Sequence, residues 1–374
     1  MSAGLLALLA AGLAYANGAN DVSKGIATLV GAGLTTYRRA VMWGAIWTAA
    51  GGVVAVIAAG AMLRTFGDGL LASGVVPVPP AAAGTLGGAG LWVLIATRAG
   101  LPVSTTHALV GAIVGSSLAA YGSDAVAWSA IGTGVALPLL AAPVTALMAS
   151  RLTLHGLDRV LGENVAADCL CVTQVPEAVV VIPPSGAMAL MSTRGARWSA
   201  MVAPAQECSD LRSSGLGITV DRLHWISSGA VSFARGMNDA PKIVALGLAA
   251  AALGTGSGIG TAGFYALVIS GMVVGSLLAG WRVSRVLAEH VTPMTHREGL
   301  AANMVTAALV TSGAVYGLPM STTHVSTGGI IGIGSARGTV RWRTVTEIVL
   351  AWVITLPAAA VLAAAASWLA ARLL

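Results

Sequence analysis

The sequence predicts an all-α polytopic membrane protein: two inverted-topology repeats with broken helices and two re-entrant helical hairpins, interrupted by a small soluble insert of β-rich character. Three observations predict it: composition, a repeat that runs the length of the chain, and the placement of arginine. Hydrophobic residues make up 56% of the chain and charged residues 9%, with a mean hydropathy of +0.84. A soluble domain carries roughly a quarter of its residues as Asp, Glu, Lys or Arg to wet its surface. This chain has no such surface to offer. Several stretches approach or exceed the roughly 20 apolar residues that a helix needs to cross a bilayer. The 48 glycines fit the same class, because small residues let helix backbones approach where lipid supplies no hydrophobic drive.

Apolar segments fall at about 3–33, 40–63, 84–121, 125–152, 223–251, 262–281, 299–336 and 344–372. The first lacks a basic leading region and the apolar pattern resumes after Asp21, so it reads as a membrane helix and not as a signal peptide. Charged residues concentrate between 153 and 222. The chain therefore divides into a first membrane repeat (1–152), a soluble insert (153–222) and a second membrane repeat (223–374). Within the insert, the run from Ala178 to Ile182 ends at Pro183-Pro184 and suggests a short strand. Cys169, Cys171 and Cys208 lack the Cys-x-x-Cys spacing of a zinc site and are read as free thiols of a cytoplasmic insert. The net charge of +6 comes from basic residues in loops between apolar spans. That is a membrane-topology pattern, and nucleic acid is set aside as a partner.

The repeat is the most informative feature. Gly18-Ala19-Asn20-Asp21-Val22-Ser23-Lys24 aligns with Gly236-Met237-Asn238-Asp239-Ala240-Pro241-Lys242, an offset of 218 residues. Leu101-Pro102-Val103-Ser104-Thr105-Thr106-His107 aligns with Leu318-Pro319-Met320-Ser321-Thr322-Thr323-His324, an offset of 217. Two unrelated motifs recur in the same order at nearly one shift. Arg38 and Arg39 follow the first span, whereas the matching loop around 254–260 carries no charge; Arg282, Arg285 and Arg297 sit where the first half offers only Arg64. Arginine-rich loops stay on the cytoplasmic side, so the halves are expected in opposite orientation. The N-terminus is then outside, and the insert and the 337–343 loop inside. The parity closes if each Pro-x-Ser-Thr-Thr-His segment enters and leaves by one face. Inverted repeats whose interrupted helices meet at the midplane are the architecture of secondary transporters.

Of the fourteen acidic residues, only Asp21 and Asp239 fall deep within strongly apolar segments. Intramembrane acids are costly and mark function by default. The two lysines of the chain, Lys24 and Lys242, stand three residues after each Asp, close enough on a helix to pair with it. Asp21, Asp239, Lys24 and Lys242 are therefore the candidate cation-coupling groups. A purely architectural ion pair is the alternative, and duplication weighs against it. Asn20 and Asn238, beside Gly18 and Gly236, read as helix breaks, which are tolerated at membrane depth only inside protein or along a watery cavity. Pro followed by Ser-Thr-Thr reads as a helix start with Ser104 or Ser321 as N-cap, an end suited to an anion. Ordinary capping and helix–helix hydrogen bonding is the plainer reading of one copy; two copies favour a substrate site. His107 and His324 could bridge substrate, relay protons or fix the hairpin tip, and the last is favoured. Ser104, His107 and Asp21 superficially offer a catalytic triad, but no Gly-x-Ser-x-Gly elbow surrounds Ser104 or Ser321, so no enzyme is expected.

These residues resemble the PiT inorganic phosphate transporter family, which includes related sulfate permeases. The family's marks stand here as Gly18 to Asp21, Pro102 to His107, Gly236 to Asp239 and Pro319 to His324, and they cover the membrane portion without the insert. The resemblance implies cation-coupled (H+ or Na+) secondary transport of inorganic phosphate by alternating access, in a multi-pass protein of the inner (cytoplasmic) membrane. It places Ser104, Thr105, Thr106, Ser321, Thr322 and Thr323 on the anion with Asn20 and Asn238 beside them. Sodium would lie at Asn20, Asp21, Asn238 and Asp239. No cofactor is implied apart from Na+ as a co-transported ion. The expected partners are phosphate or a similar oxyanion and the lipid bilayer, with a homodimer left open. A sulfate permease of the same family and a passive anion channel are the alternatives. One departure stands out: sodium-coupled members commonly have a neutral Asn where this chain has Lys24 and Lys242. An ammonium beside each carboxylate could stand in for a bound cation, so coupling is expected to involve protons, or fewer sodium ions than usual.

Overall fold

The computed structural model describes residues 3–67, 69–162, 169–181, 189–204, 215–251 and 260–373. They form two compact units, one of residues up to Leu154 together with Ile226 onward, the other from His155 to Trp225. The first is helical and repeats itself. The first half runs α1 (Ala3–Gly31), α2 (Tyr37–Ala58), a short α3 (Gly60–Gly67), α4 (Pro79–Arg98), α5 (Thr105–Tyr121) and α6 (Trp128–Leu161). The second half runs α7 (Val220–Ala251), α8 (Thr261–Ala279), a short α9 (Trp281–Arg285) continued by a π turn (Val286–His290), α10 (His296–Tyr316), α11 (Thr322–Arg337) and α12 (Trp342–Leu373). Each helix thus has a mate of similar length in the same order.

Among the described residues α2, α4 and α6, with their mates α8, α10 and α12, are long and apolar enough to cross a membrane. Their outward residues are apolar, as at Ile57, Leu140, Leu278 and Val353, while the polar side chains point inward. That inversion of the soluble pattern is what a lipid solvent demands. The ends of α1 and α11 and the π turn that follows α9 gather at one end of the bundle with the start of α10. Arg282 Nη1 donates to Arg98 O (2.8 Å), Arg341 Nη1 to Glu289 O (2.6 Å), and Arg337 pairs with Glu298 (3.0 Å). His296 Nε2 lies 3.1 Å from Ala32 O. Arg297, Arg337 and Arg341 therefore share one end.

The expected helix breaks at Asn20-Asp21 and Asn238-Asp239 are absent: α1 and α7 run through them without interruption. The physical reason is that neither glycine is used for a bend. A methyl group at Gly18 would strike the Met272 carbonyl of α8, and one at Gly236 the Thr48 carbonyl of α2. Reciprocally, Gly275 of α8 faces Tyr15 O, and Gly51 of α2 faces Phe233 O. These glycines let backbones touch. Asn20 likewise does not open its helix; its amide donates outward to Thr97 Oγ1 and Leu101 O (3.0 Å each).

The chain breaks instead before Ser-Thr-Thr. Helices α4 and α10 end at Gly100 (φ 74°) and Gly317 (φ 71°), a left-handed conformation natural to glycine. A short tip follows. Ser104 and Ser321 then cap α5 and α11, each hydroxyl accepting from the backbone N–H three residues on, at His107 and His324 (3.2 Å).

The second unit contains an antiparallel sheet of order β2-β1-β3, with β1 (Cys169–Val181), β2 (Ala189–Ala203) and β3 (Gly215–Thr219). Cys169 pairs with both Ala203 and Thr219. Cys169 and Cys171, two apart on one strand, both point into the small core. Cys171 is disulfide-bonded, which corrects the free-thiol reading for that residue. Spacing along a sequence does not show whether a thiol is paired. Cys208, Ile182, Pro183 and Pro184, and most of the uncharged 254–260 loop, lie outside the described residues.

Candidate functional site

The two uninterrupted helices each present one polar stripe at helical spacing. On α1 it is Asn17, Asp21 and Lys24; on α7 it is Arg235, Asp239 and Lys242, the same positions shifted by 218. Residues at i, i+4 and i+7 share a face. All six are buried. Lys24 Nζ donates to Asp21 Oδ1 at 2.6 Å, Asn20 Oδ1 at 2.7 Å and Asn20 O at 2.9 Å. All its donors are used within its own helix. Lys242 Nζ reaches further: Thr106 Oγ1 at 2.9 Å, Met320 O at 3.1 Å and Asp239 Oδ1 at 3.5 Å. It therefore touches both hairpin tips.

Asn17 joins the halves. Its Nδ2 lies 2.9 Å from Asp21 Oδ2, 3.1 Å from Asp239 Oδ2 and 3.2 Å from Thr105 Oγ1. Asn238 Nδ2 donates to Asp239 Oδ1 (2.7 Å) and to Met320 O (3.1 Å). The tips are locked reciprocally: Thr106 Oγ1 donates to Met320 O (3.4 Å) and Thr323 Oγ1 to Val103 O (2.8 Å), matched residues of the two motifs. Thr105 Oγ1 donates to Asp21 Oδ2 (2.9 Å), whereas its mate Thr322 has no partner for Oγ1 among the described residues. The structure therefore gathers Asn20, Asp21, Lys24, Thr105, Thr106, Asn238, Asp239, Lys242 and Thr323 into one hydrogen-bonded assembly, with Thr322 at its edge. Ser104 and Ser321 serve it as caps.

His107 and His324 stack on each other with ring centroids 4.6 Å apart, and His324 packs on Trp352 of α12 (4.0 Å). His324 Nδ1 lies 3.1 Å from Leu139 O, and Trp352 Nε1 donates to Pro102 O (3.2 Å). The pair clasps the tips to each other and to the surrounding helices. Ser104 Oγ is committed to its cap, so no Ser–His nucleophile pair forms.

Sequence reasoning missed Asn17 and Arg235. Both sit one helical turn before the Asp, and the 218 offset matches them. The mismatch in residue type concealed them. Arg235 is fully buried, with Nη2 donating to Thr48 Oγ1 (2.9 Å) and Ser276 Oγ (3.3 Å). With it, the cluster holds three cations (Lys24, Lys242, Arg235) against two carboxylates, a formal surplus of one positive charge. Buried charge is costly unless balanced. For a cation, the oxygens that the sequence offered at Asn20 and Asp21 already surround the Lys24 ammonium. Among the described residues no group of three or more His, Cys, Asp or Glu could hold a metal.

A family model described as the phosphate transporter family matches residues 17–363. The chain is 28% identical to the chloroplastic Inorganic phosphate transporter 2-1 of Arabidopsis thaliana, over 97% of this chain and 71% of that protein. It is also 28% identical to a probable low-affinity inorganic phosphate transporter of Rhizobium meliloti, over 94% of this chain and 91% of that one. A solved structure, "The sodium-dependent phosphate transporter", shares the fold with a TM-score of 0.79 over 100% of this chain and 99% of that chain, at 24% identity. These relatives are transporters, not enzymes. Helices fit for a bilayer, a duplicated polar stripe under paired tips and a match along nearly the whole chain agree: this is a multi-pass membrane protein that belongs to the phosphate transporter family.

Proposed function

We propose that this chain carries inorganic phosphate across the cytoplasmic membrane by alternating access, with the anion held between the Ser104–Thr106 and Ser321–Thr323 tips above the α1 and α7 stripes. One observation carries the reading: a buried cluster with a surplus positive charge lies directly beneath two capped helix starts that meet tip to tip. Helix starts and fixed cations both favour an oxyanion. The names of the relatives supply phosphate as the substrate. The two halves act as inverted repeats, and the α4–α5 and α10–α11 pairs as re-entrant hairpins, because their tips contact the middles of α1 and α7 and not a loop at either end.

Coupling is to protons, or to fewer sodium ions than in sodium-dependent relatives, since the Lys24 ammonium is held by three oxygens at the position where a cation was expected. The arginine-rich end faces the cytoplasm, which leaves the N-terminus outside. Helix α6 runs toward that end, as Gly328 and Gly332 of α11 pack on Pro143 and Leu147, so the insert emerges inside. The Cys171 disulfide is unusual for an inside position, because disulfides are rare in the cytosol, and maleimide labelling of Ser73→Cys against Arg341→Cys tests the orientation.

Counterflow in proteoliposomes tests the central reading. Vesicles preloaded with unlabelled phosphate should accumulate labelled phosphate transiently, with sulfate failing to replace it. Counterflow with sulfate alone would make the chain a sulfate permease, and current without counterflow would make it a channel.

A further inference from the structure

Two arginines stand deeper in the membrane than loop residues do. Gly280, between α8 and α9, packs on Val22 of α1, while Gly31 at the end of α1 packs on the Ala288 carbonyl of the π turn. At 1.5 Å of rise per residue, α9 therefore begins roughly 12 Å short of the end where α1 stops. Arg98 lies at the depth of Arg282: Arg282 Nη1 donates to Arg98 O (2.8 Å), and a methyl group at Gly100 would sit 3.8 Å from the Arg282 carbonyl.

Both arginines line one cleft of about 290 Å³ between α1, α4, α8 and α9, together with Tyr15, Thr97 and Trp281. One water needs about 10–15 Å³ of accessible space, so a phosphate group fits with its hydration. Among the described residues no acid lines this cleft. Arg98 makes no side-chain hydrogen bond or ion pair among them, and Arg282 spends only Nη1, which leaves its Nε–Nη2 edge open. Arginine at membrane depth is costly and marks the route or the seat of an ion. Two guanidiniums in one cleft repel each other, and an oxyanion that accepts from both removes the repulsion.

Two sources of such a group reach the cleft. Leu94 and Leu278 form its apolar margin, and Leu278 is exposed on the lipid side. Trp281 packs edge-on against Tyr37 with ring centroids 4.8 Å apart, and Trp and Tyr gather where headgroups sit. On the inner wall, Thr97 Oγ1 accepts from Asn20 Nδ2 (3.0 Å), so the Asn20 side chain stands between the cleft and the Asp21–Lys24 pair. We propose that Arg98 and Arg282 form a second binding site for a phosphate group, apart from the tips, filled either by the headgroup of an anionic phospholipid or by free phosphate on its way to or from the tips. The free-phosphate case rests on the carrier reading, and the headgroup case does not.

Arg98→Gln is the clean probe, because the Arg98 side chain bonds nothing within the described protein. Full-length wild type, Arg98→Gln and Arg98→Lys are reconstituted in phosphatidylcholine alone and with phosphatidylglycerol added. Uptake of labelled phosphate is followed there, and melting temperature is followed in detergent with inorganic phosphate or phosphatidylglycerol added in turn. If free phosphate fills the site, Arg98→Gln raises KM for phosphate about three- to tenfold in both membranes, between the worth of an exposed ion pair and that of a charge-assisted hydrogen bond. If a headgroup fills it, phosphatidylglycerol raises the uptake and melting temperature of wild type, Arg98→Gln loses both responses, and KM in phosphatidylcholine is the same for the two proteins. Arg98→Lys should fall between, keeping charge without the fork.

Arg98→Gln with wild-type KM and a wild-type response to phosphatidylglycerol overturns the proposal. An arginine that serves topology alone is replaceable by lysine, so wild-type KM and lipid response in Arg98→Lys overturn it too, even if Arg98→Gln does not fold. Failure of the carrier reading shows separately, as wild type that does not counterflow phosphate; the melting shifts need no transport and still report on the cleft.

Discussion

Replacing Lys24 by Asn should make uptake more dependent on sodium than it is in wild type. The Lys24 ammonium is fully buried and donates to Asp21 Oδ1, Asn20 Oδ1 and Asn20 O within 2.9 Å. Removing it leaves three acceptors facing one another, one of them a buried carboxylate. Stranding one partner of a buried ion pair costs about 3–5 kcal/mol, and each 1.4 kcal/mol is roughly tenfold in an equilibrium. Uptake by Lys24→Asn in choline buffer should therefore drop at least about a hundredfold. Sodium can enter the oxygen cage, and an ion present at about 100 times its Kd returns roughly 2.7 kcal/mol. Most of the activity should reappear in sodium chloride, with a melting temperature that climbs with sodium and not with choline. Wild type should show both dependences less steeply. Lys24→Asn that transports at the wild-type rate in choline, or a sodium dependence no steeper in the variant than in wild type, would refute the reasoning.

Gly18→Ala forces a methyl group into the Met272 backbone and should cost about 3 kcal/mol by overpacking, whereas Gly12→Ala, which meets nothing, should be neutral; thermal unfolding in detergent reads both. Thr323→Val removes the donor to Val103 O, worth about 1 kcal/mol, and should speed amide hydrogen exchange at the 101–104 tip, with unchanged exchange counting against the reciprocal lock. Ser104→Ala should lower stability by about 1 kcal/mol through loss of the α5 cap and raise KM for phosphate a few-fold in uptake assays. For orientation, a membrane-impermeant maleimide applied to intact cells should label Ser73→Cys and spare Arg341→Cys; the reverse pattern would invert the topology.

Much of this was legible in the sequence because repetition converts weak signals into strong ones. Ser104 and Ser321 cap their helices because Ser after Pro-x at a helix start has few other uses, and Asp–Lys at i, i+3 must meet if the helix persists. The misjudged points have a common cause. Asn20 and Gly18 carry low helix propensity, but burial overrides it, since the glycine is needed for a neighbour's carbonyl and the Asn amide is satisfied by Thr97 and Leu101. Asn17 and Arg235 escaped notice because motif matching rewards identity, whereas the structure uses matched positions for a neutral amide and a cation. The disulfide at Cys171 depends on a fold that strand propensity alone does not give.

The glycine contacts constrain how such a machine can move. Where Gly18 meets Met272 and Gly275 meets Tyr15, backbone touches backbone, with no side chain in between to change rotamer, and the same holds for Gly236 with Thr48 and Gly51 with Phe233. Helices α1 and α8 thus behave as one beam, and α7 and α2 as another. Each beam fastens a helix of one half to a helix of the other, as crossed arms do, so the halves cannot part as two lobes along the seam between them. The frame stays shut. The freedom to swing belongs to the tips, which side-chain hydrogen bonds, the Lys242 bridge and the contact of two histidine rings hold together without any backbone-to-backbone touch of this kind.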